Sequence, residues 1–146
     1  STYWSDTIGL RAALTSLQEV ASRGVPEYLA EFGVRLQNGL NEIADDIGLA
    51  VECSGIAWHP HLKFAETDPQ IQTQLATLYI QEMAKRGCHG YASFYLNAAQ
   101  GEAELTQTLN AARETFSILA SALRDNQLED RLECELRSDS FRRLVH

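Results

Sequence analysis

The sequence predicts an α+β fold, with a small, mostly antiparallel sheet packed against helices. Three observations carry that expectation. Leucine and alanine stripes recur at helical spacing near both ends of the chain. In the middle the period switches to alternation, around a Ser54-Gly55 turn signal. The element order is helix, helix, strand, strand, helix, strand, helix and tail, which leaves few crossover units for a parallel sheet. At 146 residues the chain fits one domain, and 45% hydrophobic residues suffice to build a core.

The first helix is expected from about Asp6 to Arg23, on the stripe Leu10, Leu14, Leu17 and Ala21. Ser5 or Asp6 caps it, and Gly24 suits a left-handed stop. Pro26 falls where a second helix restarts, because its missing N–H costs nothing in a first turn. Phe32, Leu36, Leu40, Ile43 and Ile47, with Tyr28 or Leu29, form its buried stripe. Gly33 and Gly39 each weaken that helix by up to about 1 kcal/mol relative to alanine, so close packing is expected there. Gly48 ends it.

Leu49, Val51 and Cys53 then alternate with Ala50 and Glu52, a strand pattern. The returning strand is expected over Ile56 to Ala65. Pro60 relegates it to an edge or bulged position, with Leu62 and Phe64 on one face and His61 and Lys63 on the other. Thr67-Asp68-Pro69-Gln70 reads as a helix start, followed by the stripe Ile71, Leu75, Leu78, Tyr79 and Met83. Lys85 and Arg86 complement the dipole at its end, and Gly87 terminates it. Ser93 to Ala98 is expected as another strand, with Cys88-His89 as a short one. Glu102 and Glu104 open a long helix, striped by Leu105, Leu109, Ala112, Phe116, Leu119 and Leu123. The domain is expected to span residues 1–125. Residues 126–146 are densely charged, with Leu128, Leu132 and Leu136 four apart, and read as an exposed helical tail or a connector.

Composition excludes some functions. A formal net charge of -8 argues against nucleic acid, which needs a basic face. No apolar run approaches the roughly 18 residues of a membrane span. Cys53, Cys88 and Cys134 are odd in number and widely spaced, so they read as reduced thiols of a cytoplasmic protein.

The candidate chemistry is sparse. His59 and His61, two apart on an expected strand, would share a face and could start a metal site. Only His89 and His146 remain as further histidines, so a polar outer strand face is the better reading and no metal is expected. Cys88 and His89 are adjacent on an expected strand and point apart, so they do not form a thiol–imidazole pair. Tyr91, Phe94 and Tyr95 fit core packing better than a pocket wall. Glu129, Asp130, Glu133 and Glu135 read as a solvated face. The only lysines are Lys63, on a strand pattern, and Lys85, in a helix's last turn. Neither reads as a Schiff-base residue, and no catalytic residue is assigned in this chain.

The opening adds a resemblance. The chain starts Ser1-Thr2-Tyr3-Trp4, with neither an initiator methionine nor a secretion signal, and reads as an internal junction. That stretch, then Ser5-Asp6-Thr7-Ile8-Gly9 and an alanine-rich helix, resembles the Gly-Thr-Phe-x-Gly-Asn-Pro-Leu segment of class III pyridoxal-phosphate aminotransferases. Gly33-Val34-Arg35-Leu36-Gln37-Asn38-Gly39-Leu40 is similar to the family's Gly-x-x-Leu-x-x-Gly-Leu helix, and the strands around Ser54-Gly55 to its C-terminal sheet. Arg86-Gly87-Cys88-His89 resembles the entry to the family's substrate-end loop. Phe94 to Ala99, then Gln100-Gly101 and Glu102, Glu104 and Leu105, resembles the strand leading to its last helix. The resemblance covers about residues 1–124. The glutamate-1-semialdehyde 2,1-aminomutase-like branch is nearest, because Ser93-Phe94-Tyr95-Leu96-Asn97 lacks the arginine usual in ornithine- and GABA-type members.

The resemblance implies the C-terminal small domain of a fold type I enzyme. Thr2 would reach the phosphate of pyridoxal 5'-phosphate in the neighbouring subunit of a homodimer. Ser1 stands where the family has glycine, and Ser5-Asp6-Thr7 where it has Gly-Asn-Pro. Asp6 would repel a phosphate at that helix end, which leaves Thr2 as the expected contact. The Schiff-base lysine, the pyridine-nitrogen aspartate and the main phosphate loop belong to an N-terminal large domain, the implied partner. This chain alone is then expected to be inactive, to hold no cofactor, and to expose apolar area near its first helix and Tyr3-Trp4. The rival expectation is a free-standing protein-interaction module without catalysis.

Overall fold

The computed structural model describes residues 6–137. Four helices surround a two-stranded antiparallel hairpin, the α+β arrangement expected from the sequence. Helix α1 spans Thr7–Ser22 and α2 spans Val25–Ile47. Strands β1 (Val51–Ser54) and β2 (His61–Phe64) follow, then α3 (Pro69–Lys85) and α4 (Glu102–Arg124).

The local signals explain most boundaries. Asp6 caps α1, accepting from the amides of Ile8 at 3.4 Å and Gly9 at 3.0 Å. Asp68, rather than Thr67, caps α3, accepting from Gln70 and Ile71. Gly24, Gly48 and Gly87 have positive φ where α1, α2 and α3 end, a conformation that side chains disfavour.

Helix α2 organises the core. Phe32, Leu36, Leu40 and Ile43 are buried along one stripe, facing β1 and α4. The two glycines of α2 sit where the sequence called for close packing. A Cβ on Gly33 would lie 1.7 Å from the Ala57 carbonyl oxygen, and one on Gly39 would lie 2.8 Å from the Leu109 side chain. The backbone of the β1–β2 connection therefore rests directly on α2. Asn41 adds a second tie. Its side-chain amide donates to the Cys53 carbonyl at 3.1 Å and accepts from the Cys53 amide at 2.7 Å. One side chain thus satisfies both backbone groups on the free edge of β1, as a neighbouring strand would.

The register pairs Val51 with Phe64 and Cys53 with Leu62. Cys53, Leu62 and Phe64 are buried inward, and His61 and Lys63 point out. The returning strand is shorter than the expected Ile56 to Ala65. His59 closes a turn onto the Ile56 carbonyl at 2.9 Å, and Pro60 is fully buried just ahead of β2. The expected strand over Ser93 to Ala98 is a single bridge, Ser93 to His61. The amides of Phe94 and Leu96 donate to the carbonyls of Pro60 and Trp58 and the Leu62 amide donates to Ala92, but Pro60 has no N–H to return to Phe94, so the ladder is incomplete there. Cys88-His89 is irregular chain.

Leu75, Leu78, Tyr79 and Met83 of α3 meet Leu105, Ala112, Phe116 and Leu119 of α4 in the same core. The two helices are also tied by charge. Glu82 is 7% exposed and receives Lys85 at 2.8 Å and Arg86 at 2.8 Å, while Arg86 also reaches Glu114. Burial pushes the Glu82 carboxyl up, but hydrogen bonds from Lys85, Gln81 and Arg86 prevail and pull it down to about 2.

The tail differs from the expected helix over its described part. It forms a 3-10 turn, Glu129–Arg131, and then irregular chain. Beyond the bond that closes this turn, Leu132 to the Glu129 carbonyl, its backbone is held by side chains of α3. Gln81 holds the Arg131 carbonyl and the Glu133 amide, and Thr77 accepts from the Arg137 amide. Leu128 is buried in the core beside it.

Helix α1 meets α2 but buries none of its own residues. Leu10, Leu14 and Leu17 are 57%, 46% and 68% exposed. Tyr3 and Trp4 lie outside the described residues. No helix among the described residues is long and apolar enough to cross a membrane.

Gly33→Ala should destabilise the chain by about 2 kcal/mol or more, because backbone rather than a flexible side chain must move. Urea unfolding measures it, as a lower midpoint at an unchanged slope. Glu82 makes a second prediction. Its folded pKa is depressed, so its stabilisation is present above the unfolded carboxyl range and is lost as pH falls towards about 2. Glu82→Gln should cost about 1–2 kcal/mol at pH 7. Urea midpoints of variant and parent should converge as pH is lowered from about 5 towards 2.

Candidate functional site

The chain between α3 and α4 borders a cavity of about 330 Å³. Gly87, at φ 77°, turns the chain out of α3. Residues 92–96 then run back along the outer edge of β2, bonded through Ala92, Phe94 and Leu96. Asn97 makes a local turn, accepting from the Ala99 amide at 3.0 Å. Gly101 starts α4, and the Glu104 carboxylate reaches back to its amide at 2.8 Å. That is the acid half of a capping box, since glycine has no side chain to complete it. The same bond, with one from its own backbone amide, holds the Glu104 carboxyl below its usual range. The Tyr28 hydroxyl donates to the Gln100 carbonyl and fastens the end of this segment to α2. Arg35 clamps Glu102 through both guanidinium nitrogens.

The lining includes the aromatic residues Tyr79, Tyr91, Phe94 and Tyr95 and the polar residues Glu104, Gln107 and Thr108, with Cys88 and His89 from the chain just after α3. Phe94 is partly buried against the core, as expected for core packing. Tyr91 and Tyr95 are not core residues. They are 64% and 74% exposed and line the cavity. The surface curves here because 92–96 is tethered by its backbone, which leaves alternate side chains unburied.

The histidine pair is separated. His59 lies in the turn before β2, with Nδ1 2.9 Å from the Phe94 carbonyl and its ring 4.4 Å from Tyr95. His61 is on β2 and faces outward. Among the described residues no three His, Cys, Asp or Glu side chains gather as metal ligands. Cys88 and His89 both border the cavity, on irregular chain rather than a strand. Glu129, Asp130, Glu133 and Glu135 are exposed, as a solvated face requires, and Glu133 pairs with Lys85. Thr2, the expected phosphate contact, lies outside the described residues. Glu104, Gln107 and Thr108 were missed by sequence reasoning. Their i, i+3, i+4 spacing puts them on one face of α4, a signal overshadowed by the stronger apolar stripe.

Neither lysine is suited to hold pyridoxal phosphate. Lys63 is exposed on β2. Hydrogen bonds that Lys85 donates to Glu133 and Glu82 raise its ammonium above the ordinary range, which keeps it protonated and non-nucleophilic.

No family model matches this chain. It is similar to an aminopentol aminotransferase of Sphingopyxis macrogoltabida, at 29% identity over 125 residues, covering 84% of this chain and 28% of that protein. It also superposes on the FumI protein of Sphingopyxis sp. MTA144, solved in its PLP internal aldimine form. There the TM-score is 0.73 and the identity 26%, over 86% of this chain and 30% of that one. The chain is therefore related in sequence and backbone to pyridoxal-phosphate aminotransferases, and spans less than a third of the length of these relatives.

The three cysteines should differ sharply in reactivity. Burial, helped by Glu52, pushes the Cys53 thiol up to about 12, whereas Cys134 is exposed. Iodoacetamide on the folded chain, followed by peptide mass mapping, should label Cys134 first and Cys88 more slowly. Cys53 should react only after denaturant is added.

Proposed function

We propose that this chain is the C-terminal small domain of a class III pyridoxal-phosphate-dependent aminotransferase, acting within a longer polypeptide. What supports the reading is the joint likeness in sequence and backbone to FumI, continuous over 86% of the chain at a TM-score of 0.73. In the whole enzyme the domain would close the substrate end of the cleft and add contacts to a homodimer. Pyridoxal phosphate would supply the amino-group chemistry there, held by an attachment lysine outside this chain. Thr2 would donate its hydroxyl to the phosphate across the subunit boundary. The exposed leucines of α1 support docking against an absent large domain, because a face of this size is unusual on a finished surface.

The glutamate-1-semialdehyde aminomutase-like branch remains our sequence placement, on the arginine-free stretch Ser93 to Asn97. The name of the relative, an aminopentol aminotransferase, supports transfer over isomerisation. The three free cysteines agree with a cytoplasmic setting.

Two measurements test this. Mixed with pyridoxal phosphate and reduced with borohydride, the isolated chain should yield no stoichiometric adduct at Lys63 or Lys85. The gene should continue upstream of Ser1 into a lysine-bearing domain whose product, joined to this one, binds the cofactor. A start codon immediately before Ser1 would favour the free-standing interaction module instead, and a saturating adduct at one lysine of this chain alone would overturn the reading of a non-catalytic domain.

A further inference from the structure

We infer that residues 133–137 form a releasable strap which, docked on α3, holds the loop after α3 and with it one edge of the cavity. The tail has two parts. Leu128 is buried in the core and Leu132 packs against it, so the chain is anchored up to that point. From Glu133 to Arg137 every residue is exposed. That segment is held by polar contacts to one helix. Gln81 accepts from the Glu133 amide at 2.7 Å, Thr77 accepts from the Arg137 amide at 3.1 Å, and Lys85 donates to the Glu133 carboxylate at 2.6 Å. Gln81 and Thr77 are one turn apart and share a side of α3. Water competes for each of these bonds, and the segment adds no buried side chain to them. A segment held in this way opens far more readily than the core beneath it.

The strap ends on the loop that borders the cavity. The Arg137 guanidinium stands 5.5 Å from the centroid of the Tyr91 ring, within reach of a cation–π attraction. Tyr91 lines the cavity, as do Cys88, His89 and Gly90 just before it. The loop is pinned at its two ends. The Cys88 amide donates to the Met83 carbonyl, and the Ala92 carbonyl accepts from the Leu62 amide. Among the described residues, His89, Gly90 and Tyr91 make no hydrogen bond between those two points. The Arg137 contact thus falls where the loop's own backbone is least restrained. Releasing the strap removes that contact, and the loop can then move away from the cavity. Gln81 and Thr77 do not line the cavity themselves, so a change at either reaches it through the strap.

The test is the rate at which iodoacetamide labels Cys88, which borders the cavity and is half-buried. It is read in a Cys134→Ser background, so that the strap itself is not modified. Thr77→Val removes the acceptor of the Arg137 amide, and Gln81→Ala removes the partners of the Arg131 carbonyl and the Glu133 amide. Each variant should speed Cys88 labelling about threefold and hydrogen exchange of the Glu133 and Arg137 amides about tenfold, with Cys53 still unreactive. Tyr91→Leu leaves the strap's hydrogen bonds in place. It should still speed exchange of the Arg137 amide about threefold, because a coupling acts in both directions. Gln81→Ala also loses a bond to Glu82, so if Cys53 becomes reactive there the core has loosened and Thr77→Val decides. Faster strap exchange with Cys88 labelling unchanged, Cys53 labelled in step with Cys88 in Thr77→Val, or strap amides exchanging as slowly as the core would each overturn the inference. The measurement contains no cofactor, so either outcome leaves the aminotransferase reading standing.

Discussion

At Gly33 the backbone of α2 meets the backbone of the β1–β2 connection. A Cβ on Gly33 would stand 1.7 Å from the Ala57 carbonyl oxygen, so the β1–β2 connection can lie where it does only because α2 has a notch there. Much else depends on that seat. With the connection down, Asn41 reaches Cys53 and closes the free edge of β1, and Gln37 reaches the Gly55 carbonyl. Cys53, Leu62 and Phe64 then point into the core, because a register shift of one residue would turn them outward. A glycine in a helix interior costs about 1 kcal/mol of helix propensity, and here that cost is offset by burying a sheet against the helix.

The second organising feature is Glu82, which sits at the meeting of α3, α4 and the tail. A buried carboxylate is unfavourable unless it is paired, and this one holds Lys85 and Arg86 together. Each of those cations reaches a second carboxylate, Glu133 on the tail and Glu114 on α4. The same cluster keeps Lys85 protonated, which removes the one lysine near the core from covalent chemistry. A structural network thus limits what chemistry the chain can perform alone.

Local rules were legible wherever partners lie close in sequence. Asp6 and Asp68 cap helices, Gly24, Gly48 and Gly87 sit at their ends, and Leu105 to Leu123 run along one side of α4, all as the spacing required. The likeness to pyridoxal-phosphate aminotransferases was legible too, because its motifs keep their order and spacing. The cavity was not. Tyr91 and Tyr95 look like core residues by composition, and Glu104 looks like an ordinary helix-start acid. The tether of residues 92–96 to β2 brings that chain and the start of α4 to the same cavity.

The sequence by itself determined the α+β class, the helix ends, the inward face of β2 and the close packing at Gly33 and Gly39. Those follow from periodicity, capping and backbone stereochemistry, which act within a few residues. Tertiary structure alone decided that Pro60 cuts the third strand to one bridge, that the tail docks on Gln81 and Thr77 instead of coiling, and that Tyr91, Tyr95 and Glu104 line one cavity. Each of these rests on a hydrogen bond or contact between residues far apart in the chain, and no local pattern specifies which distant groups will meet.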